Sequence, residues 1–328
     1  MKLPQCPPKK CKTSTEGRRD VAAYVLILCL VILCLTSCQG ESHQNTSDST
    51  HRQHIDPPPE IQQAMKSATP FFRPMGKPET SDWLASHKEP GQTFEEYINE
   101  DPTLPTNDRK TIYVLPLGKF NAAQEKILKI VAEGLGAFYG LSVQLMNPEK
   151  LKEPLGVGDF RKVPGGRVRQ VRTGYLLDDV IAPRLPADAA AMIALTAEDL
   201  YPDESMNFVF GQASFDKRVG VWSLFRLEQN ADLKTFLMRA LKIAAHEIGH
   251  MFSIRHCTKY ECVMNGSNYL GETDRHPLDA CPECMAKIAW LSGVTPADRY
   301  RRMAEFCKHN DLSTEAGEFD AKLKKVEK

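Results

Sequence analysis

Residues 246–284 read HEIGHMFSIRHCTKYECVMNGSNYLGETDRHPLDACPEC, and this run constrains the fold more than any other part of the chain. His246 and His250 lie four residues apart. On a helix that spacing puts both imidazoles on one face, one turn apart, aimed at one point. Glu247 reaches the same cleft from the side, so the order H-E-x-x-H supplies two metal ligands and a general base. His256 follows six residues after His250, where a chain leaving the helix can turn back to the metal. The fold must therefore hold a helix with a reversal directly behind it. Ala231 to about Phe252 reads as that helix, with Phe236, Leu237, Leu241, Ala244 and Ala245 on its apolar face.

Three protein ligands, with the fourth position left to water, form the arrangement of a catalytic zinc. Zinc lowers the pKa of such a water to about 7. Glu247 is then the group placed to take a proton as water attacks a peptide carbonyl, and to pass it to the leaving amine.

Cysteine placement adds a second constraint. Of ten cysteines, five precede residue 39 and none follows until Cys257. The body of the chain has nothing for disulfides to staple. Cys257, Cys262, Cys281 and Cys284 therefore read as metal ligands or as two short-range disulfides, and their pairing suits a tetrahedral thiolate zinc site. Cys307 reads as a half-buried helix residue.

The N-terminus reads as an export signal. Six Lys and Arg residues lie within residues 1–20, and an uncharged apolar run extends from Val21 to Ser37. The run is short for a membrane span of about 20 residues. It ends in Leu35-Thr36-Ser37-Cys38, which resembles a bacterial lipobox with Cys38 as the lipidated thiol; an uncleaved signal anchor is the alternative. Either outcome leaves the chain exported and membrane-tethered, facing the periplasm or the exterior, and so partnered with a lipid surface. Residues 38–69 are polar and Pro-rich and read as a disordered tether. Equal numbers of basic and acidic residues, 42 each, give no global field for nucleic acid.

Between these ends, Thr111–Leu117, Leu141–Met146 and Ala190–Leu195 read as buried strands, and Asn121–Phe138 as an amphipathic helix. Tyr175–Ile181 reads as a short helix. The alternation predicts an α/β sandwich with a mostly parallel twisted sheet. Asn207–Ser214 and Val219–Leu227 read as further extended pieces. The second, VGVWSLFRL, reads equally as an edge strand beside a cleft or as an ordinary core strand.

At HEIGHMFSIRHC, then TKYE, then CVM, and CPEC after a gap, the chain resembles the archaemetzincins of the metzincin clan. The resemblance extends upstream through YPDESMNFVFGQAS and SDWLASH, over roughly residues 70–310. It implies a metzincin-like fold and zinc-dependent hydrolysis of peptides or proteins by a monomer. It further implies two zincs per chain: a catalytic one on His246, His250 and His256, with Glu247 as base, and a structural one on Cys257, Cys262, Cys281 and Cys284. Met264 would be the Met-turn methionine, lying beneath the metal, and VGVWSLF the substrate-binding edge strand. Residues 311–328 would be a charged tail. Tyr269 reads as a surface-loop residue and His276 as a loop residue.

One position departs from the family pattern: Ser253 stands where a glycine is usual. A left-handed turn there costs a residue with a side chain roughly 1–2 kcal/mol, so Ser253→Gly is expected to raise stability or zinc affinity. Two alternatives follow. One is a zinc-stabilised peptide-binding protein that does not turn over. The other uses a downstream glutamate, Glu272 or Glu283, as third ligand.

Overall fold

A computed structural model describes residues 55–151, 159–163 and 169–328. The basic leader, the apolar run, the lipobox with Cys38 and the first part of the tether lie outside these residues.

The uncharged, β-branched segment Thr111–Leu117 is strand β1 of a five-stranded sheet. The helix after it, α4 (Ala122–Tyr139), begins on a capping box in which Asn121 and Gln124 each satisfy the other's backbone N–H. It ends at Gly140, whose φ of 66° is the left-handed stop that glycine permits. β2 (Ser142–Leu145) pairs in parallel with one side of β1, and β5 (Ala189–Thr196) with the other. β8 (Val219–Ser223) adds in parallel to β5, and β7 (Gly211–Ala213) closes that side antiparallel to β8. The order is β2-β1-β5-β8-β7. A smaller sheet joins β3 (Phe160–Lys162), β4 (Arg169–Arg172) and β6 (Asp199–Tyr201).

Period-two alternation divides the main sheet's side chains between two cores. Ile112, Val114, Ile193, Leu195 and Trp222 pack with α4 and with α6 (Leu233–Met251). Tyr113, Leu115, Met192, Ala194 and Val221 pack on the other face against the helical segment that starts with α5 (Thr173–Tyr175) and continues through Ile181. This is the α/β sandwich with a mostly parallel sheet that the sequence predicts.

One open alternative is decided and two expectations are corrected. β8 is an interior strand, paired on both sides; all five of its residues are buried, as a doubly covered strand requires. The edge beside β8 is β7, whose residues are partly exposed, and β2 is the opposite edge. Second, the tether does not run to residue 69. Pro59–Ala68 forms helix α1, with Ile61, Ala64 and Ala68 buried at helical spacing. Third, residues 311–328 are not a tail. Ser313–Val326 forms a helix, α10, that buries Ala316, Phe319 and Lys322. It packs on α9 (Pro296–His309), inside which Cys307 is fully rather than half buried. Between them, short helices α2 (Trp83–Ser86), α3 (Phe94–Asn99) and α7 (Leu270–Arg275) and the longer α8 (Pro282–Ser292) surround the exit of α6. Among the described residues no helix is long and apolar enough to cross a membrane.

Candidate metal centre

Asp232 caps α6 through the Thr235 N–H, and the helix then runs for 19 residues with its apolar stripe against α4 and the sheet. Its last turns carry His246, Glu247 and His250. The helix stops because Ser253 takes φ 63°, the left-handed conformation expected at the family's glycine position. That reversal returns His256 to the other two histidines. A ligand nitrogen from each of the three lies within 4.8 Å of the others.

The protons on these rings are assigned by their partners. His246 Nδ1 faces the Val263 carbonyl at 2.9 Å, and His250 Nδ1 faces the Ile254 carbonyl at 2.7 Å. His256 Nδ1 faces the Glu89 carboxylate at 2.9 and 3.0 Å. Each partner only accepts, so each Nδ1 is the N–H donor and each Nε2 carries a lone pair. Nε2 of His246 and Nε2 of His250 are 2.9 Å apart. Two lone pairs at that distance repel unless a cation lies between them. The donor set therefore fits zinc, with every ligand oriented by an outer partner. Burial, with His256 beside it, lowers the His250 pKa to about 3, so the ring is neutral as a ligand must be.

Glu247 is buried at 6% exposure and faces the cleft, where desolvation alone pushes its carboxyl up to about 8; a dication held by the neighbouring histidines would act in the opposite direction and favour the carboxylate. Gly211 of β7 lets it sit there: a Cβ at Gly211 would lie 2.6 Å from Glu247 Oε1. Met264 packs under the helix, where a Cβ on Gly249 would fall 2.6 Å from its sulfur. It is fully buried. The cleft above has a volume of about 700 Å³ and is walled by Phe208, Phe210, Phe215 and the edge strand β7.

The four cysteines form a second cluster behind the turn, each sulfur within 4.8 Å of the rest. None of the four is in a disulfide. Cys257 Sγ and Cys281 Sγ are 3.6 Å apart, a contact between the two sequence pairs rather than within one. A tetrahedral zinc with sulfurs at 2.3 Å spaces them at about 3.8 Å. The N–H groups of Met264 and Cys281 both point at Cys262 Sγ, at 3.5 and 3.2 Å, as they would toward a thiolate. Cys281 and Cys284 open α8, where the helix N-terminus also favours negative sulfur. The Cys257 N–H donates to the Met264 carbonyl at 2.8 Å, which ties this cluster to the floor of the first.

Glu272 and Glu283, the alternative third ligands, are engaged elsewhere. Glu272 accepts the N–H groups of Trp83 and Asn268, and Glu283 accepts the Phe94 N–H and pairs with Lys259. The Tyr269 hydroxyl is held by Asp82 and Arg275 at the back of this region. His276, read as a loop residue, lines the cleft; burial first, then the nearby Lys242 charge, brings it down to about 4. The sequence pointed to no role for Glu89 or Gly211, and to Trp83 only as part of a segment packed on the main domain and of the SDWLASH stretch. Glu89 is 167 residues from His256, so no local spacing could have indicated it.

A profile of Peptidase family M54 matches residues 170–290, which include all seven candidate ligands. Archaemetzincin-2 of Homo sapiens is 31% identical over 292 residues, covering 77% of this chain and 79% of that protein. The chain belongs to the archaemetzincin family. It is a zinc metallopeptidase. The archaemetzincin of Pyrococcus abyssi is 31% identical over 182 residues, covering 54% of this chain and 93% of that protein. The crystal structure of archaemetzincin from Methanopyrus kandleri is similar at 28% identity and a TM-score of 0.48, over 57% of this chain and 97% of that one.

Proposed function

We propose that this archaemetzincin hydrolyses peptide bonds at a zinc held by His246, His250 and His256, with Glu247 as general base. A second, structural zinc is held by Cys257, Cys262, Cys281 and Cys284. The convergence of three lone-pair nitrogens beside a buried carboxylate carries this reading. Bound zinc supplies a Lewis acid for the peptide carbonyl and acidifies water. Glu247 accepts the proton of the attacking water at a carboxylate oxygen and delivers it to the leaving nitrogen. The unpaired edge of β7 receives the extended substrate as an added strand. The phenylalanine walls exclude water around it.

The test is zinc content per chain together with hydrolysis of a peptide library by wild type and Glu247→Ala. Two zincs, and a loss of roughly 100- to 10,000-fold in kcat in the variant, are expected. Equal activity in both would end the mechanism. Two zincs with no hydrolysis by wild type would make the chain a zinc-stabilised peptide-binding protein instead.

We further propose that the chain is exported and lipidated at Cys38, because a basic segment and an apolar run end in a lipobox-like tetrapeptide. Cys38→Ser should then shift the protein from the membrane fraction to the soluble fraction. A membrane-bound variant of unchanged length would indicate the signal anchor instead.

A further inference from the structure

We propose that Glu89 is the positioning residue that makes His256 the third ligand, and that residues 73–103 form a strap built into the metal centre. The proposal rests on the histidine site being a metal site.

The three ligand histidines are not held alike. His246 and His250 donate to neutral carbonyls supplied by their own chain segment, from Val263 and Ile254. His256 donates to a carboxylate, with both Glu89 oxygens within 3.0 Å. Glu89 is thus the one negative group among the three Nδ1 partners. A carboxylate partner makes an imidazole a stronger base toward a metal and fixes which nitrogen faces it. Trp83 adds a wall, its ring edge-on to His256 with centroids 5.4 Å apart.

The rest of the strap holds the turn that carries His256. Tyr97 donates its hydroxyl to the Phe252 carbonyl at 2.9 Å. The Thr103 N–H donates to Ser253 Oγ at 3.0 Å, and Gln92 Nε2 donates to the Ser253 carbonyl at 3.2 Å. The Arg255 N–H donates back to Gln92 Oε1 at 3.1 Å. Residues 252, 253, 255 and 256 are therefore each fastened from outside their own segment. Farther along, the Met75 N–H donates to the Lys259 carbonyl and the Glu261 N–H to the Arg73 carbonyl, both at 2.9 Å. This explains how a serine occupies the glycine position: its hydroxyl accepts a hydrogen bond that glycine has no atom to accept. The strap lies wholly upstream of residues 170–290, the part matched by the family profile.

The test uses the full chain and the variants Glu89→Ala and Glu89→Gln, with His256→Ala for comparison. Zinc retention at the histidine site is titrated against a chelator, with cobalt substitution to separate nitrogen-ligated from thiolate-ligated metal. Glu89→Ala is expected to weaken the histidine site roughly 10- to 100-fold and leave the thiolate metal in place. Glu89→Gln, which keeps an acceptor but no charge, should fall between. Affinity within twofold of wild type in Glu89→Ala would overturn the proposal. A second measurement, the nitrogen-15 shifts of the His256 ring in metal-free protein, reads its tautomer directly. Wild type should show the proton on Nδ1, and Glu89→Ala should lose that preference. An unchanged tautomer would overturn the proposal even if wild type held no metal on its histidines, a result that would separately refute the metallopeptidase reading.

Discussion

Ser253 shows how a single residue's account changes between sequence and structure. Its φ of 63° is the strained conformation that the family pattern implies. From sequence alone, glycine there should be better. The hydroxyl, however, accepts the Thr103 N–H. Ser253→Gly therefore relieves strain of about 1 kcal/mol and loses a hydrogen bond of similar worth, and its stability in denaturant titration should be near wild type. Ser253→Ala keeps the strain and loses the bond, so it should be the less stable of the two by about 1 kcal/mol. Gly211 belongs at the same scale. Gly211→Ala places a methyl against Glu247 Oε1. Activity should fall at least about tenfold with zinc content unchanged, because the carboxylate must swing away from its position. If zinc content falls along with activity, the damage is to the metal site and not to the base.

Among the elements, α6 was legible because its apolar stripe and its histidines share one 3.6-residue period. α4 and β1 were legible for the same kind of local reason. α1 and α10 were not. Their buried faces are short and interrupted by charge, and they hold only because other helices cover them. Lys322 of α10 and Arg299 of α9 both reach Asp279, two residues before Cys281, with all three side chains at most 4% exposed. Asp279→Ala would leave two buried cations unpaired and should cost about 3–5 kcal/mol in denaturant unfolding. The strap is anchored by a weaker ion pair, Asp82 with Arg275 at 2.6 Å. Burial acts to raise the Asp82 carboxyl, but the Glu79 N–H, Arg275 and Tyr269 outweigh it and hold it below the usual carboxylate range. A depressed carboxylate stabilises the fold above its unfolded pKa of about 4, and that contribution vanishes as pH falls through the folded value. The stability difference between wild type and Asp82→Asn should therefore be constant from pH 8 to pH 5 and shrink below pH 4.

For the molecule as a whole, the two candidate ligand clusters meet in one turn: His256 and Cys257 are neighbours, and the Cys257 N–H donates to the Met264 carbonyl. Stripping both metals should lower the melting temperature by roughly 10 °C or more, while a chelator that removes only the histidine-bound metal should abolish hydrolysis with a smaller shift. Equal melting with and without metal would contradict a structural role for the thiolate site. The sequence by itself brought out the candidate ligands, the candidate base, the long helix that carries them and the α/β class, because each depends on residue type at a spacing that one element enforces. It also marked the turn at Ser253. The edge strand, the packing of α1 and α10, and Glu89 with its strap were decided only by tertiary structure. Which strand lacks a neighbour, and which carboxylate arrives from 167 residues away, are consequences of how elements pack, and no local period records them.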